Sequence, residues 1–113
     1  LCPAKLSHHI TFGTQSPTQG RPFDLKRDGT SFGEGGAFCL LANARGVERL
    51  KKTPLAEIFG VGFSCDGYDI TVPEPTGKWA ALAIERATSK SFIPDYINAH
   101  GTGTLLNDAA ESK

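Results

Sequence analysis

The segment 98–104, Asn-Ala-His-Gly-Thr-Gly-Thr, is the feature that most constrains how this chain folds. Two glycines and two threonines alternate strictly after His100, and the short apolar pair Tyr96-Ile97 precedes the segment. This pattern predicts a strand over residues 96–99 that ends at the histidine. Such a strand end would bring an imidazole, two hydroxyls and bare backbone into one small volume.

His100 is the first candidate for chemistry. A lone histidine is more often structural than catalytic, but the flanking Gly101 and Gly103 would leave this imidazole accessible to a substrate. Thr102 and Thr104 are two residues apart, so their hydroxyls share one face of an extended chain. A neutral imidazole with hydroxyl donors nearby can stabilise a developing oxyanion or handle a proton.

Two acidic residues follow this motif at helical spacing. Asp108 and Glu111 are three residues apart on a segment, 108–113, that is predicted to begin a helix, so their side chains point the same way. They could fix the surroundings of His100 or hold a cation. Alternatively, they are first-turn acids that favour a helix N-terminus, which is the reading that sequence alone favours.

The rest of the chain predicts strands alternating with helices. The apolar run 37–42 predicts a strand buried on both faces, and residues 56–63 predict a second strand. Asn43 is expected to cap a short helix through residue 49. Thr76 is expected to cap a helix from residue 77 to about residue 87, where apolar residues recur at helical spacing. This order implies layered α/β packing.

Several motifs carry no chemistry in this interpretation. Residues 13–20 are rich in Ser, Thr, Gln, Pro and Gly and predict a loop. The glycine-rich run 33–36 lacks the lysine and the following helix of a phosphate-binding loop. His8-His9 has no third ligand at a usable spacing, so we interpret it as a solvated loop pair.

Charge and cysteine content argue against some classes of function. Twelve basic and twelve acidic residues cancel, which gives no electrostatic case for nucleic acid or an acidic membrane surface. No segment approaches the ~20 apolar residues that span a bilayer. Cys2, Cys39 and Cys65 form no CxxC pair and predict reduced thiols of a cytoplasmic protein, with Cys39 buried and inert.

A series of short motifs runs along the chain from Arg21 onward. In chain order they are Arg21-Pro22-Phe23-Asp24, Arg27-Asp28-Gly29, Gly33-Glu34-Gly35, Asp66 with Ile70-Thr71 and Pro73, the segment 98–104, and Leu106-Asn107-Asp108 with Glu111. Taken together, these motifs resemble the beta-ketoacyl-acyl carrier protein synthases, condensing enzymes of the thiolase-like superfamily. The resemblance covers an internal portion of that family and implies a partial thiolase-like layered α/β/α fold with a mixed sheet.

The resemblance implies an activity and roles for individual residues. The family condenses an acyl thioester with malonyl-acyl carrier protein, with loss of carbon dioxide, in fatty acid or polyketide synthesis. His100 matches the first of two active-site histidines, which assist malonyl decarboxylation. Thr102 and Thr104 match threonines that hydrogen-bond the phosphopantetheine arm. Glu111 matches a buried acid of the active-site network, and Asp108 is its neighbour in the same motif.

The resemblance also implies domains and partners. Residues 1–20 would be a loop-rich lead-in, residues 21–75 the end of the N-terminal ketosynthase half, and residues 76–113 the start of the C-terminal half. Acyl carrier protein, which carries the phosphopantetheine, is the expected partner of a homo- or hetero-oligomer, with no tightly bound cofactor, nucleic acid or membrane. Asn98 matches a position near a possible structural cation.

Two hypotheses follow from these observations. The chain is a fragment of a condensing enzyme, or it is a non-catalytic truncated or chain-length-factor-like module for assembly or binding. No cysteine here matches the family's nucleophile, and the family's lysine and second histidine would lie beyond residue 113, so we expect no catalysis by this chain alone. A layered sheet cut within a domain exposes strand edges and apolar faces, so we also expect oligomerisation or marginal stability.

Overall fold

The regular structure consists of four helices in a computed structural model that describes residues 2–88 and 92–113. None of the helices in these ranges has the length and apolar character needed to cross a membrane. In chain order, the helices are α1 (Pro3–Thr11), α2 (Ala44–Leu50), α3 (Lys78–Ala87) and α4 (Leu105–Glu111).

The three predicted strands are not present as a sheet. Residues 37–42, 56–63 and 96–99 form no strand, and the one isolated bridge in the described part of the chain is a parallel pair of Gln15 with Thr30. A strand needs a neighbouring backbone to pair with, and apolar composition alone does not supply one. The mixed sheet of the predicted α/β/α fold is therefore not confirmed.

Helix α2 forms where the sequence predicts it. Asn43 is its N-cap, and the Asn43 side-chain oxygen accepts a hydrogen bond from the backbone N–H of Gly46 at 3.0 Å. The Asn43 cap satisfies one of the backbone donors that every helix start leaves without a partner. The helix ends at Leu50, and its C-cap Lys51 has a left-handed φ of 49°.

Helix α3 also lies at the predicted place, but its N-cap is Gly77 and not Thr76. The Thr76 hydroxyl still accepts a hydrogen bond from the backbone N–H of Lys78 at 3.4 Å. The extended segment 56–63 lies close against this helix, because a Cβ at Gly62 would be only 2.7 Å from the backbone nitrogen of Ala87. Glycine in that segment thus permits a close backbone approach.

Helix α1 occupies part of the lead-in 1–20, which is therefore less loop-rich than its composition predicts. Pro3 stands in its first turn, where a missing N–H costs nothing, and residues 13–20 remain irregular as predicted. The prediction of His8 and His9 as a solvated loop pair is wrong, since both lie on α1. Helix α4 begins at Leu105, earlier than the predicted start at residue 108.

The buried residues of the described chain include two polar ones and no large apolar side chain. Asp108 is 1% exposed and Ser16 is 7% exposed, whereas Ala110 is the one buried hydrophobic residue. Large apolar side chains of the extended segments lie in solvent, and Cys39, which was expected to be buried, is exposed. The buried residues thus lie where residues 14–30 meet residues 100–111, which is where the predicted site residues are.

Candidate functional site

Glu111 fixes the backbone of the predicted catalytic loop. One oxygen of its carboxylate accepts a hydrogen bond from the backbone N–H of His100, and the other accepts one from that of Gly101, both at 2.8 Å. The Asn107 side-chain amide donates to the same carboxylate at 2.9 Å. Because helix α4 follows the loop directly, a residue near its end can reach back and hold the loop start. Glu111 therefore holds the main chain that carries the imidazole of His100.

Asp108 fixes the next part of the loop and ties it to a distant segment. Its side chain accepts hydrogen bonds from the backbone N–H groups of Phe23 at 2.7 Å and Gly103 at 3.1 Å. The Arg27 guanidinium Nε lies 3.7 Å from the same carboxylate. A buried carboxylate is stable only when it is paired and hydrogen-bonded, and Asp108 has both kinds of partner. This residue joins α4, the loop and the segment around Phe23.

The two threonine hydroxyls lie together, as their alternation with glycine predicts. Thr102 Oγ1 and Thr104 Oγ1 are hydrogen-bonded to each other at 2.9 Å. Both residues line the same cavity as His100. The arrangement thus combines an imidazole with a pair of hydroxyl groups on one surface.

Arg27, Gly29 and Thr30 lie against this loop and donate hydrogen bonds to its carbonyl groups. The Arg27 side chain donates to the carbonyl oxygens of Thr104 at 3.3 Å and Leu105 at 3.0 Å. The backbone N–H of Gly29 donates to the carbonyl of Gly103 at 3.0 Å. Sequence reasoning missed this role of Arg27, because local periodicity carries no signal for a contact between segments more than 70 residues apart.

The cavity in front of the loop has a volume of about 710 Å³. Helix α1 and its C-cap Phe12 supply one of its walls, with His8 and His9 contributed by the helix. The rings of His8 and Phe12 meet edge to face with centroids 4.5 Å apart, and Nδ1 of His9 is hydrogen-bonded to Oγ1 of Thr14 at 3.1 Å. The helical spacing of His8 and Phe12 was the one signal in the sequence that could have indicated this wall.

Asp28 adds a carboxylate at the edge of the cavity. The hydroxyl of Ser16 donates to it at 2.6 Å, and this bond is the main cause that lowers its pKa below the ordinary 3.8. A second hydroxyl, from Thr18, and the Arg21 guanidinium at 3.6 Å lower the pKa of Asp28 further. Asp28 therefore carries a negative charge at neutral pH.

Asn98 is the residue predicted to lie near a structural cation. Asn98 is exposed, and no three His, Cys, Asp or Glu side chains within residues 2–88 and 92–113 form a group that could hold a metal ion. Backbone carbonyl and amide oxygens can also bind a cation, so the role of Asn98 stays a prediction.

Comparison with known proteins identifies the class to which this loop and cavity belong. Residues 55–113 match the family described as beta-ketoacyl synthase, C-terminal domain. A putative mitochondrial 3-oxoacyl-[acyl-carrier-protein] synthase of Schizosaccharomyces pombe is 39% identical over 105 residues, which cover 89% of this chain and 25% of that protein. The 3-oxoacyl-[acyl-carrier-protein] synthase 2 of Mycobacterium tuberculosis is 39% identical over 97 residues, covering 82% of this chain and 23% of that protein. Nodulation protein E of Rhizobium leguminosarum bv. trifolii is 38% identical over 99 residues, covering 86% of this chain and 25% of that protein.

The chain belongs to the beta-ketoacyl synthase family, as the motifs of its sequence indicated. It spans about a quarter of the length of the curated relatives that it matches. Membership supports the thiolase-like part of the fold prediction, although the described residues contain no sheet.

Proposed function

We propose that this chain supplies one wall of a beta-ketoacyl synthase active site, with His100 as its catalytic residue. The observation that carries the proposal is a single cavity lined by His100 together with Thr102 and Thr104, whose hydroxyls are hydrogen-bonded to each other. The names of the relatives, which are synthases acting on acyl carrier protein, support the same class of reaction. Acyl carrier protein is accordingly the proposed partner, and its phosphopantetheine arm is the proposed occupant of the cavity.

The proposed role of His100 is to stabilise the negative charge that forms when malonyl thioester loses carbon dioxide. In that step the bond between the carboxylate carbon and the α-carbon breaks, and its electron pair forms an enolate. An imidazole N–H that donates to the thioester oxygen stabilises this charge most strongly where water is scarce. The enolate carbon then attacks the carbonyl carbon of the acyl thioester; a carbon–carbon bond forms and the thiolate leaves.

The hydroxyl pair is proposed to hold the arm that delivers the malonyl group. Pantetheine carries two amides, and Thr102 and Thr104 can donate to or accept from such groups. Correct placement of the reacting carbon relative to His100 is itself a large part of catalysis.

Glu111 and Asp108 are proposed to act as positioning residues. Their carboxylates bind the backbone N–H groups of His100, Gly101 and Gly103 rather than a ring or a substrate atom. They would thus keep the loop in the geometry that the reaction needs, without taking part in proton transfer.

The 113 residues alone are proposed to be inactive in condensation. An acyl-enzyme needs a thiol nucleophile, and none of the described residues that line the cavity is a cysteine. The nucleophile would have to come from elsewhere in a complete synthase. The division of the chain at residue 76 into two ketosynthase halves is part of the same proposal.

A chimaeric synthase tests this function directly. The segment of the M. tuberculosis relative that matches this chain is replaced by the present sequence, and condensation of acyl thioester with malonyl-acyl carrier protein is measured. We expect an active chimaera whose turnover falls about 100- to 1,000-fold in His100→Ala, the usual effect of removing one donor that stabilises a developing oxyanion. Asp95→Ala, an exposed change in the same region, is the matched control. Equal turnover of the His100→Ala and parent chimaeras would refute the role of His100.

A second assay addresses the chain by itself. Its decarboxylation of malonyl-acyl carrier protein is followed by release of carbon dioxide, and we expect no turnover above background. Turnover that disappears in His100→Ala would contradict the proposed inactivity while supporting the assignment of the catalytic residue.

The non-catalytic assembly module is a second candidate, favoured by one observation. Phe38, Leu55 and Ile70 are fully exposed to solvent, as expected of a surface that another chain covers. This candidate predicts an inactive chimaera together with a defined oligomer of the isolated chain.

The predicted cytoplasmic location remains a prediction, because the names of relatives in S. pombe and Arabidopsis thaliana place those proteins in mitochondria.

A further inference from the structure

We propose that Thr30 is a positioning residue that sets the orientation of the hydroxyl pair of Thr102 and Thr104. Its hydroxyl donates to the carbonyl oxygen of Thr102 at 2.6 Å, across 72 residues of sequence. The proposal rests on the proposed function only for the identity of the ligand, the pantetheine arm. The orientation of the two hydroxyls is a property of the chain itself and is measured without any ligand.

The backbone of Thr30 is held in place independently of its side chain. Its N–H donates to the carbonyl of Thr14 at 2.8 Å, and its own carbonyl accepts from the N–H of Ser16 at 3.0 Å. These two bonds form the parallel bridge in the described part of the chain. The Thr30 side chain therefore projects from a fixed point, so little conformational entropy is lost when its hydroxyl binds.

Two glycines allow the Thr30 segment to approach the loop closely. A Cβ at Gly29 would lie 2.6 Å from the backbone nitrogen of Ser16, and a Cβ at Gly103 would lie 2.5 Å from the carbonyl oxygen of Gly29. Both distances are shorter than any contact that a real Cβ makes, so only glycine fits at either position. The two backbones are consequently near enough for a side chain as short as threonine to span the remaining gap.

The Thr30 bond completes a continuous row of hydrogen bonds to the carbonyl groups of the loop. The carbonyls of Thr102, Gly103 and Thr104 accept in turn from the hydroxyl of Thr30, the N–H of Gly29 and the side chain of Arg27. Three successive peptide planes are thereby fixed. Because a threonine side chain has few χ1 states, fixing these planes also fixes where the hydroxyls of Thr102 and Thr104 point.

The fixed pair has a definite hydrogen-bonding capacity. One of the two hydroxyls donates to the other across 2.9 Å, so that its hydrogen is used. The second hydroxyl keeps its hydrogen for a ligand, and the oxygens keep lone pairs. The pair can therefore donate one hydrogen bond to an amide carbonyl and accept from an amide N–H, which matches the alternating groups of a pantetheine arm.

The test compares two substitutions at one position. Thr30→Val keeps the volume and removes the hydroxyl, whereas Thr30→Ser keeps the hydroxyl. In the 113-residue chain, the χ1 angles of Thr102 and Thr104 are obtained from three-bond couplings between backbone nuclei and the threonine methyl carbon. We expect single rotamers in the parent chain and in Thr30→Ser, and averaged couplings in Thr30→Val. Thr11→Val is the matched control, because its hydroxyl donates to the carbonyl of Ser7 and not to the loop.

The functional consequence is measured with pantetheine as the probe. Threonine methyl shifts give its dissociation constant, and loss of one orienting hydrogen bond should raise that constant about three- to tenfold in Thr30→Val. In the chimaeric synthase we expect a similar rise in KM for malonyl-acyl carrier protein with kcat within twofold, restored by Thr30→Ser. A change in overall stability alone would not produce that division between KM and kcat.

Unchanged couplings in Thr30→Val would overturn the inference. An inactive parent chimaera, or a parent chain that does not bind pantetheine, would instead count against the proposed function and leave the coupling measurement to decide the role of Thr30. Where Thr30→Val lowers the thermal midpoint and also perturbs residues of α3, the effect is global and the inference is rejected.

Discussion

Removal of the Asp108 carboxylate is predicted to release the loop that carries the site residues. In Asp108→Ala, the buried N–H of Gly103 loses its acceptor, and the Arg27 guanidinium, which is 16% exposed, loses its charged partner. A buried donor left without an acceptor costs about 1–3 kcal/mol, and the lost pair adds to this, so about 3 kcal/mol of local stability should disappear. Since 1.4 kcal/mol corresponds to a factor of ten, the amide of Gly103 should exchange with solvent roughly 100-fold faster.

Native-state hydrogen exchange followed by NMR measures this change at the affected amide. Asp108→Asn keeps the shape of the side chain but presents an NH₂ group to one of the two N–H donors. The exchange rate of the Gly103 amide in Asp108→Asn should therefore fall between the rates in the parent and in Asp108→Ala. Glu57→Ala, an exposed change from the same residue class, should leave the Gly103 amide unchanged. Exchange in Asp108→Ala within threefold of the parent rate would refute the role assigned to this carboxylate. If Asp108→Ala unfolds completely, the comparison rests on Asp108→Asn.

Three further outcomes follow from the structure. Gly62→Ala should cost about 2 kcal/mol, because its methyl group would meet the backbone of α3, whereas Gly35→Ala, which faces open space, should be neutral; equal urea midpoints would contradict this. The lowered pKa of Asp28 means that its stabilising contribution is present above pH 3.8 and is lost as the pH falls through the lowered value. Ser16→Ala should raise that pKa toward 3.8 in an NMR titration of the carboxyl carbon, and an unmoved titration would argue against the hydrogen bond as its main cause. The isolated chain should self-associate or melt at low temperature, and a stable monomer in light scattering would count against the exposed apolar segments as a covered surface.

The helices could be predicted from sequence more readily than the strands. Asn43 is a good N-cap followed by helix-forming residues, and these local signals agree with α2 as observed. The runs 37–42 and 56–63 have the composition of buried strands, but in the described chain they form no strand. A strand is stabilised by a partner that is distant in sequence, so its formation does not follow from its own composition.

In the candidate site, too, the contacts between near neighbours in sequence could be predicted, and the contacts between distant segments could not. The alternation of Thr102 and Thr104 with glycine predicted a shared hydroxyl surface, and the 2.9 Å contact between them agrees with it. The helical spacing of Asp108 and Glu111 predicted a common direction, but not that both would bind backbone N–H groups of the loop. The contacts of Thr30 and Arg27 depend on chain folding over more than 70 residues, for which a single sequence offers no local signal.

The 85-residue separation between Phe23 and Asp108 has a consequence for how the site is made. During synthesis, the segment around Phe23 leaves the ribosome long before α4 exists, so the amide of Phe23 lacks its carboxylate acceptor while the intervening residues are made. Closing so long a loop is slow, because its entropic cost precedes any contact that compensates for it. The nascent chain therefore exposes its apolar extended segments for seconds at typical elongation rates. The loop that carries the hydroxyl pair is therefore fixed only after the carboxylate of Asp108 emerges and reaches back to the amide of Phe23.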